Sequence, residues 1–482
     1  MERISVREGR FVDEQGRTRI FSGINLVSKG RTGAKGYDFV ERFGEREFSL
    51  MEDMGFNVVR LGLTWASVEP RPGEYDEARI DWIMRMLDMC ERHGIYAVLD
   101  MHQDLFAQRF SDGAPDWAVL TDAEYVPTAL WSEAYLEPGA VTQAFDAFWA
   151  DAPVAGVGIM ERYARMWRHV ARRVGSHPAL MAVDIMNEPH PGGLAARAVE
   201  QLACGLAEAS AAHGPALSPE RVLRMFGDAD GRMELLSMLE DERVYRAMTD
   251  AVDAVDRFEA GALSDMYDRV GAYIRAEAPG VMLMRENCYF GNIGVRCMAR
   301  APQAPFAFSP HGYDWLVDTP AVPQSSNARA GFIFARHGET QRRLGAPVMV
   351  GEWGGMGRYD GRRHERFLMN VFEREQWSSI YWCWFEGFEN SCSAKVLRRA
   401  YPSAIAGKLD MYSSAGGRFV CRWNEWGPGS ASEIFLPAPV KNVRLDGETL
   451  RTAGGRLCVP SKGGARELTA ELWGTEREAG AD

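Results

Sequence analysis

Long hydrophobic runs are missing from this 482-residue sequence. No apolar stretch approaches the about 18 residues that a membrane-spanning helix needs, so an integral membrane protein is not expected. A surplus of basic charge is missing as well, because 67 Asp and Glu residues outnumber 55 Lys and Arg residues. Nucleic-acid binding needs clustered basic groups against phosphate, so that partner is excluded, and at most transient contact with a membrane surface or lipid micelles is expected.

The cysteine pattern lacks two familiar signatures. Eight cysteines are scattered along the chain without a CxxC pair or a Cys/His cluster at zinc-ligand spacing. Mostly reduced, buried thiols are therefore predicted. The N-terminus shows no apolar segment followed by a cleavage site. We expect a cytoplasmic protein if Met1 is the native start and a secreted one if a leader was removed, while the oligomeric state stays open.

Short apolar runs, each followed by a stretch with helical periodicity, recur along most of the chain. This alternation is typical of βα units around a parallel sheet. Eight such units predict an α/β fold, a (β/α)8 TIM barrel over residues 1–407. The expected strands are 19–25, 57–63, 96–102, 181–188, 281–287, 306–313, 348–352 and 379–385, with helices such as 81–93 between them.

Two long insertions and a change of pattern complete the predicted organisation. The insertions, at about 105–156 and 190–240, follow strand ends and are expected to lie as lids over the catalytic face. After residue 407 short alternating runs predict a small C-terminal β-sandwich domain over residues 408–482, ending in a mobile tail at 476–482. Its expected strands are 418–423, 432–436, 443–445, 456–459 and 468–473.

Two glutamates end predicted barrel strands. Glu188 closes the fourth in Asp-Ile-Met-Asn-Glu-Pro, and Glu352 closes the seventh in Val-Met-Val-Gly-Glu-Trp. Strands four and seven lie across the barrel from one another, so the two carboxylates can face a glycosidic bond from opposite sides. A separation of roughly 5 to 5.5 Å suits retaining hydrolysis by a nucleophile and an acid/base. We therefore predict Glu352 as nucleophile and Glu188 as acid/base, with no metal or organic cofactor.

Other predicted strand ends carry polar and aromatic side chains that fit the same site: Arg60, His102, Asn187, His311, Tyr313, Trp382 and Trp384. Arg60 and Tyr313 are expected to hydrogen-bond Glu352. Asn187 can hydrogen-bond a sugar hydroxyl, and the two tryptophans, expected on one face of a strand, offer an apolar surface for a sugar ring. The arginine and the histidines also fit satisfied core residues, and for Glu286 and Glu386 a structural role is preferred.

A set of eight residues, in its order along the chain, resembles the pattern of glycoside hydrolase family 5. The residues are Arg60, His102, Asn187, Glu188, His311, Tyr313, Glu352 and an eighth-strand tryptophan. Within this family, Gly-Ile-Asn-Leu-Val-Ser-Lys at 23–29 and Leu-Asp-Met-His-Gln-Asp at 99–104 are similar to endoglycoceramidases. Those enzymes cleave the bond between glycan and ceramide in glycosphingolipids. The resemblance implies a glycosphingolipid substrate, with Lys29, Asp104 and Trp149 binding the first sugar.

Several alternatives stay open. Lys29 and Asp104 also fit a mutual salt bridge, and the aromatic insertion fits either a lipid-binding slot or a packed lid core. The strand-five segment 285–292 differs from the resembled pattern, so the sugar can be glucosyl, galactosyl or a longer glycan. Competing functions are an exo-acting glucosylceramidase or β-glucosidase, an endo-β-glucanase, and a catalytically inactive carbohydrate or lipid binder.

Overall fold

Eight parallel strands form one sheet in the computed structural model, which describes residues 1–33, 36–39, 43–213 and 216–472. In chain order they neighbour one another from the first to the sixth, and the eighth pairs with both the first and the seventh. The barrel strands, numbered one to eight below, are Ser22–Val27, Val58–Thr64, Tyr96–His102, Leu180–Asp184, Met282–Arg285, Phe306–Phe308, Met349–Val350 and Ser378–Tyr381.

Strands six and seven close the ring. A parallel bridge joins Phe308 to Val348, and beyond it the short strands His311–Gly312 and Glu352–Trp353 pair in parallel. The predicted (β/α)8 barrel is therefore confirmed. Strand three has the predicted bounds, whereas strands six and seven are shorter than predicted. Pro310 lacks the N–H that a continuous ladder would use, which fits the break in strand six.

Helices follow the strands and cover the outside of the barrel. Strands two and three are buried along their whole length, as expected where helices pack on one face and the barrel interior on the other. The helices are Glu45–Asp53, Trp65–Val68, Glu77–Arg92, Ala140–Trp149, Ile159–Val174, Leu194–His213, Pro219–Gly227, Ala229–Met238, Glu242–Asp250, Asp256–Phe258, Ser264–Glu277, Asn327–Leu344, Arg362–Glu375 and Cys392–Leu397. Among the described residues, no helix is long and apolar enough to cross a membrane.

The barrel interior has two layers. Its lower layer is an apolar cluster that includes Val58, Val98 and Met282, and Ile4 and Phe11 from the N-terminal segment pack against it. Side chains two apart share a face of a strand. The inward positions two or four residues further along the same chain segments carry charged side chains. The N-terminal segment therefore closes the lower end, and the charged layer faces the opposite mouth.

A β-sandwich follows the barrel, but part of it comes from the N-terminus. One sheet combines Ser5–Arg7, Arg10–Val12 and Thr18–Arg19 with Tyr401–Ile405, Ser432–Leu436 and Gly455–Val459. The other contains Gly407–Ala415, Arg418–Glu425, Val440–Leu445, Glu448–Thr449 and Gly464–Leu472. The domain boundary at residue 407 stays a prediction. Residue 19, which we expected to begin barrel strand one, pairs with the sandwich instead, and the predicted tail at 476–482 lies outside the described residues.

The two insertions contain short elements of their own. The first carries the 3-10 turns Asp116–Ala118 and Trp131–Tyr135, one helix, and the hairpin Pro153–Val154 with Val157–Gly158. The second is helical. Three further 3-10 turns lie at Tyr289–Ile293, Val322–Gln324 and Phe388–Asn390, a π-helical turn lies at Glu259–Leu263, and a hairpin pairs Arg31–Gly33 with Gly36–Asp38.

Candidate active site

Glu188 and Glu352 lie close together beyond the ends of strands four and seven. They are only 7% and 4% exposed. A carboxylate oxygen of each glutamate and a ring nitrogen of His311 all lie within 4.8 Å of one another. A glycine at 351 makes room for this approach, because a Cβ atom at Gly351 would stand 2.8 Å from His311 Nε2.

Both oxygens of Glu352 are held by hydrogen-bond donors. Arg60 Nη1 donates to Oε1 at 2.7 Å, and the Tyr313 hydroxyl donates to Oε2 at 2.9 Å. The structure thus makes the two contacts expected from the sequence. Burial raises the pKa of Glu352 above its ordinary value, and the opposing effects of His311 and Arg60 offset only part of that rise. The donors fix the orientation of this carboxylate.

Glu188 is held at its carboxylate and at its main chain. His311 Nδ1 lies 2.9 Å from Glu188 Oε1, and Asn292 Nδ2 donates to the same oxygen at 2.7 Å. The backbone N–H of Glu188 donates to Glu286 Oε2 at 2.8 Å, and Gln103 Nε2 donates to the Glu188 carbonyl at 3.2 Å. Among the described residues no donor reaches Oε2 of Glu188, so that oxygen is left for a ligand.

Arg60 organises the charged layer from inside the barrel. It is fully buried, and its guanidinium reaches four carboxylates and two amide oxygens at 2.7 to 3.2 Å. Burial acts to lower the pKa of Arg60, but the surrounding carboxylates outweigh it and the pKa is raised well above its ordinary value. Its partners are Asn25, Asp100, Asp184, Asn187, Glu286 and Glu352.

A second polar group lies at the ends of strands one and three. Lys29 Nζ bonds to Asp104 and lies 3.3 Å from Asp112 Oδ2. It also stands 5.2 Å from the centre of the Trp382 ring, which stacks on His102 at 5.2 Å and 13°. The salt bridge considered as an alternative for Lys29 and Asp104 is thus present. The Lys29 side chain remains 39% exposed, so it also faces the mouth.

The charges in this group shift one another's protonation. Burial acts to lower the pKa of the Lys29 ammonium, but Asp104 and Asp112 outweigh it and the pKa is raised. Burial raises the pKa of Asp112 to about 6 although Lys29 opposes this. For His102, burial acts to lower the pKa, yet Asp100 and Asp104 raise it to about 10. His102 is therefore an imidazolium at neutral pH.

Comparison with known proteins agrees with this geometry. Residues 33–217, which include Glu188, match the family described as Cellulase (glycosyl hydrolase family 5). An endoglycoceramidase of Cyanea nozakii is 28% identical over 212 residues, which cover 38% of this chain and 41% of that protein. A glucosylceramidase of Rhizopus delemar is 28% identical over 238 residues, or 38% of this chain and 35% of the relative. The alignments thus span less than half of these curated relatives.

A solved structure of endo-glycoceramidase II from Rhodococcus sp. shares the fold. It is 24% identical, with a TM-score of 0.70, and the match covers 96% of this chain and 99% of that one. Residues 33–217 are thus similar to glycosyl hydrolase family 5. The predicted resemblance to endoglycoceramidases is confirmed.

The two predicted tryptophans have different surroundings. Trp382 faces His102 and Lys29, whereas Trp384 packs against Phe388 at 5.3 Å between ring centres. The expectation that both share one face is wrong, because strand eight ends at Tyr381 and its alternation ends there too. Trp149 packs in the insertion core, where its indole N–H donates to the carbonyl of residue 190 at 2.8 Å.

Several residues at the candidate site were not predicted from the sequence. Asn292, in a 3-10 turn after strand five, contacts the Glu188 carboxylate. Asp100 and Asp184 face Arg60 inside the barrel. Acidic residues within otherwise apolar strands were the available signal for these two, since an unpaired buried carboxylate is costly. Nothing local distinguished Asn292 from other loop asparagines.

Within the described part of the chain, three groups of side chains have ligand atoms within 4.8 Å of one another, a spacing that can hold a metal ion: His102 with Asp104 and Asp112, Asp184 with Glu286 and His311, and Glu188 with His311 and Glu352. In each group a side-chain cation already faces a carboxylate. Lys29 contacts the first group, and Arg60 contacts members of the other two. The protein's own cations thus supply the charge that an ion would bring.

Proposed function

We propose that this chain is a retaining β-glycosidase that hydrolyses the bond between glycan and ceramide in glycosphingolipids. The observation that carries the chemistry is the separation of at most 4.8 Å between carboxylate oxygens of Glu188 and Glu352. Retaining enzymes place their two carboxyl groups roughly 5 to 5.5 Å apart, whereas inverting enzymes leave roughly 6.5 to 9.5 Å for a water. The short separation supports direct attack by one carboxylate.

In the first step Glu352 attacks the anomeric carbon and Glu188 protonates the departing oxygen. Arg60 and Tyr313 hold Glu352 in one orientation. Because His311 and Asn292 both occupy Oε1 of Glu188, we assign the transferable proton to Oε2. The bond from the anomeric carbon to the leaving oxygen breaks, that oxygen takes the proton, and an ester to Glu352 forms.

In the second step Glu188, now a carboxylate, takes a proton from water. The resulting hydroxide equivalent attacks the anomeric carbon from the side that the aglycone left. The ester bond breaks, Glu352 regains its negative charge beside Arg60, and Glu188 is protonated for the next cycle. Two displacements at the same carbon restore the β configuration.

The group around Lys29 supports a sugar subsite beside the glutamates. Lys29 and Asp104 offer a donor and an acceptor for hydroxyls, and Trp382 offers a ring face. Exposed apolar side chains on the first insertion suit the ceramide part: Leu120 at 36%, Val126 at 71% and Trp131 at 36% exposure. The insertion's inner aromatics, including Phe106 and Phe145, are buried, which favours the packed lid core for that part.

A substrate panel tests this function. Glucosyl-, galactosyl- and lactosylceramide in detergent micelles are incubated with wild type and with Glu352→Gln, and the products are identified by mass spectrometry. We expect wild type to release ceramide and intact glycan, while Glu352→Gln releases neither. If only soluble β-glucans are cleaved, the lipid substrate is wrong.

A glucosylceramidase is the second candidate, and it is favoured by the similarity to the Rhizopus delemar protein. Lactosylceramide separates the two, since an endo-acting enzyme releases lactose whereas an enzyme confined to one glucose leaves lactosylceramide intact and cleaves glucosylceramide. An endo-β-glucanase is disfavoured because an insertion crosses the mouth: Trp131 Nε1 lies 3.2 Å from Asp318 Oδ2, in the loop after strand six.

A further inference from the structure

Glu286 lies directly behind the acid/base glutamate. It is 2% exposed and is the residue directly after strand five, Met282–Arg285. Its own backbone N–H donates to the Tyr267 hydroxyl at 3.0 Å. The main chain of Glu286 is thus tied to the helix Ser264–Glu277, which carries Tyr267.

One oxygen of Glu286 holds the main chain of Glu188. The Glu188 N–H donates to Glu286 Oε2 at 2.8 Å. Glu188 has a φ of 43°, in the left-handed region that residues other than glycine seldom adopt. A charged acceptor on its N–H counters the tendency of this residue to relax toward an ordinary conformation.

The other oxygen of Glu286 reaches the Glu188 carboxylate through a histidine. Glu286 Oε1 lies 3.3 Å from His311 Nε2 and 3.2 Å from Arg60 Nη2. On its opposite side the His311 ring places Nδ1 2.9 Å from Glu188 Oε1. The negative charge of Glu286 attracts the Nε2 side of the ring and so favours the orientation that places Nδ1 beside Glu188.

We propose that Glu286 is the positioning residue of the acid/base: it holds the Glu188 main chain directly and the Glu188 carboxylate through His311. This inference rests on the proposed function. Its charge also matters for His311, whose pKa burial acts to lower but which Glu286, Glu352 and Glu188 raise well above its ordinary value. Glu286 itself needs no contact with the sugar.

Leaving-group dependence distinguishes this role from a general loss of structure. Departure of phenol or a ceramide alcohol needs a proton from Glu188, whereas 2,4-dinitrophenolate departs without one. We therefore compare kcat/KM for phenyl β-lactoside and lactosylceramide with that for 2,4-dinitrophenyl β-lactoside. kcat/KM reports the first chemical step, which alone depends on proton donation.

The variant Glu286→Gln keeps the size of the side chain but removes its charge and one of its two acceptors. We expect kcat/KM for phenyl β-lactoside and lactosylceramide to fall about 100-fold, the lower range for acid catalysis, while the 2,4-dinitrophenyl substrate changes by less than about threefold. Glu286→Asp retains the charge but shortens the reach, and should show the same selective loss. It keeps the test decisive if Glu286→Gln does not fold.

Glu259 offers a matched control. It is equally buried and accepts from the backbone N–H groups of Cys288 and Met298, yet it touches neither glutamate. Glu259→Gln should lower kcat/KM for phenyl β-lactoside, lactosylceramide and 2,4-dinitrophenyl β-lactoside by the same factor. An equal loss on both leaving groups in the Glu286 variants would overturn the inference, while a wild type inactive on lactosylceramide and on both aryl lactosides would overturn the proposed function itself.

Discussion

The lower and upper halves of the barrel interior are built by the same strands and yet are chemically opposite. Along strand two Val58 is followed on the same face by Arg60, and along strand three Val98 is followed by Asp100. All four are buried. The lower layer stabilises the barrel by excluding water, whereas the upper layer keeps charges in fixed positions that water would otherwise screen. Of two positions that are only two residues apart on one strand, the first thus contributes to stability alone, and the second belongs to the charged layer of the active site.

The contrast between the two layers predicts that Arg60, at the centre of the charged layer, supports both the stability of the barrel and the hydrolysis. Arg60→Met removes the guanidinium that four buried carboxylates share, so we expect unfolding free energy to drop by about 3 to 5 kcal/mol and hydrolysis to be lost. Urea unfolding and kcat/KM measure the two effects. Arg243→Met, whose pair with Asp241 is 73% exposed on the arginine side, should cost less than about 0.5 kcal/mol. Equal stability of the two variants would break the contrast.

The lower layer should affect stability alone. Met282→Ala removes a fully buried side chain of the apolar cluster and should cost about 2 to 5 kcal/mol of unfolding free energy. Below its melting temperature the variant should keep kcat/KM within about twofold of wild type, because the charged layer is untouched. Thermal unfolding, followed by circular dichroism, measures the loss of stability. Kinetics at a temperature about 20 degrees below the Tm of the variant measure kcat/KM. A large loss of kcat/KM would show that the layers are coupled.

Two buried histidines sharpen the comparison further. His102, beside Asp100, has a pKa raised to about 10, because carboxylates outweigh burial, whereas burial lowers the pKa of His337 to about 3. The stabilisation from His102 is fully present below its unfolded pKa of about 6.5 and is lost as the pH rises through about 10. Ring 15N shifts should show a charged His102 and a neutral His337 throughout pH 6 to 8.5. A midpoint near pH 6.5 for either would contradict these environments.

The barrel and the two glutamates at its strand ends could be predicted from the sequence, because both depend on local patterns. Eight apolar runs with helical spacers define the strands, and Glu188 and Glu352 stand at predictable ends of them. Pairing of the N-terminal strands with residues 401–405 was not predictable, since it joins segments almost 400 positions apart. The same holds for Asn292, whose contact with Glu188 depends on the path of one 3-10 turn.

Exceptions to simple periodicity explain the remaining differences. Alternation predicted a shared face for Trp382 and Trp384, but alternation holds only while the strand continues, and strand eight ends at Tyr381. Glu286 was assigned a structural role from its sequence surroundings. Its contacts with Glu188 and His311 join segments that follow three different barrel strands and could be seen only in the folded chain.

Covalent labelling tests most directly whether Glu352 is the nucleophile. A 2-deoxy-2-fluoro β-lactoside with a 2,4-dinitrophenyl leaving group forms the ester but releases it slowly, because the fluorine destabilises the positively charged transition state. Proteolysis and tandem mass spectrometry then identify the labelled side chain. We expect one added fluorolactosyl group, on Glu352. An adduct on Glu188 or Glu286, or turnover of lactosylceramide without any adduct, would contradict the role of Glu352 as nucleophile.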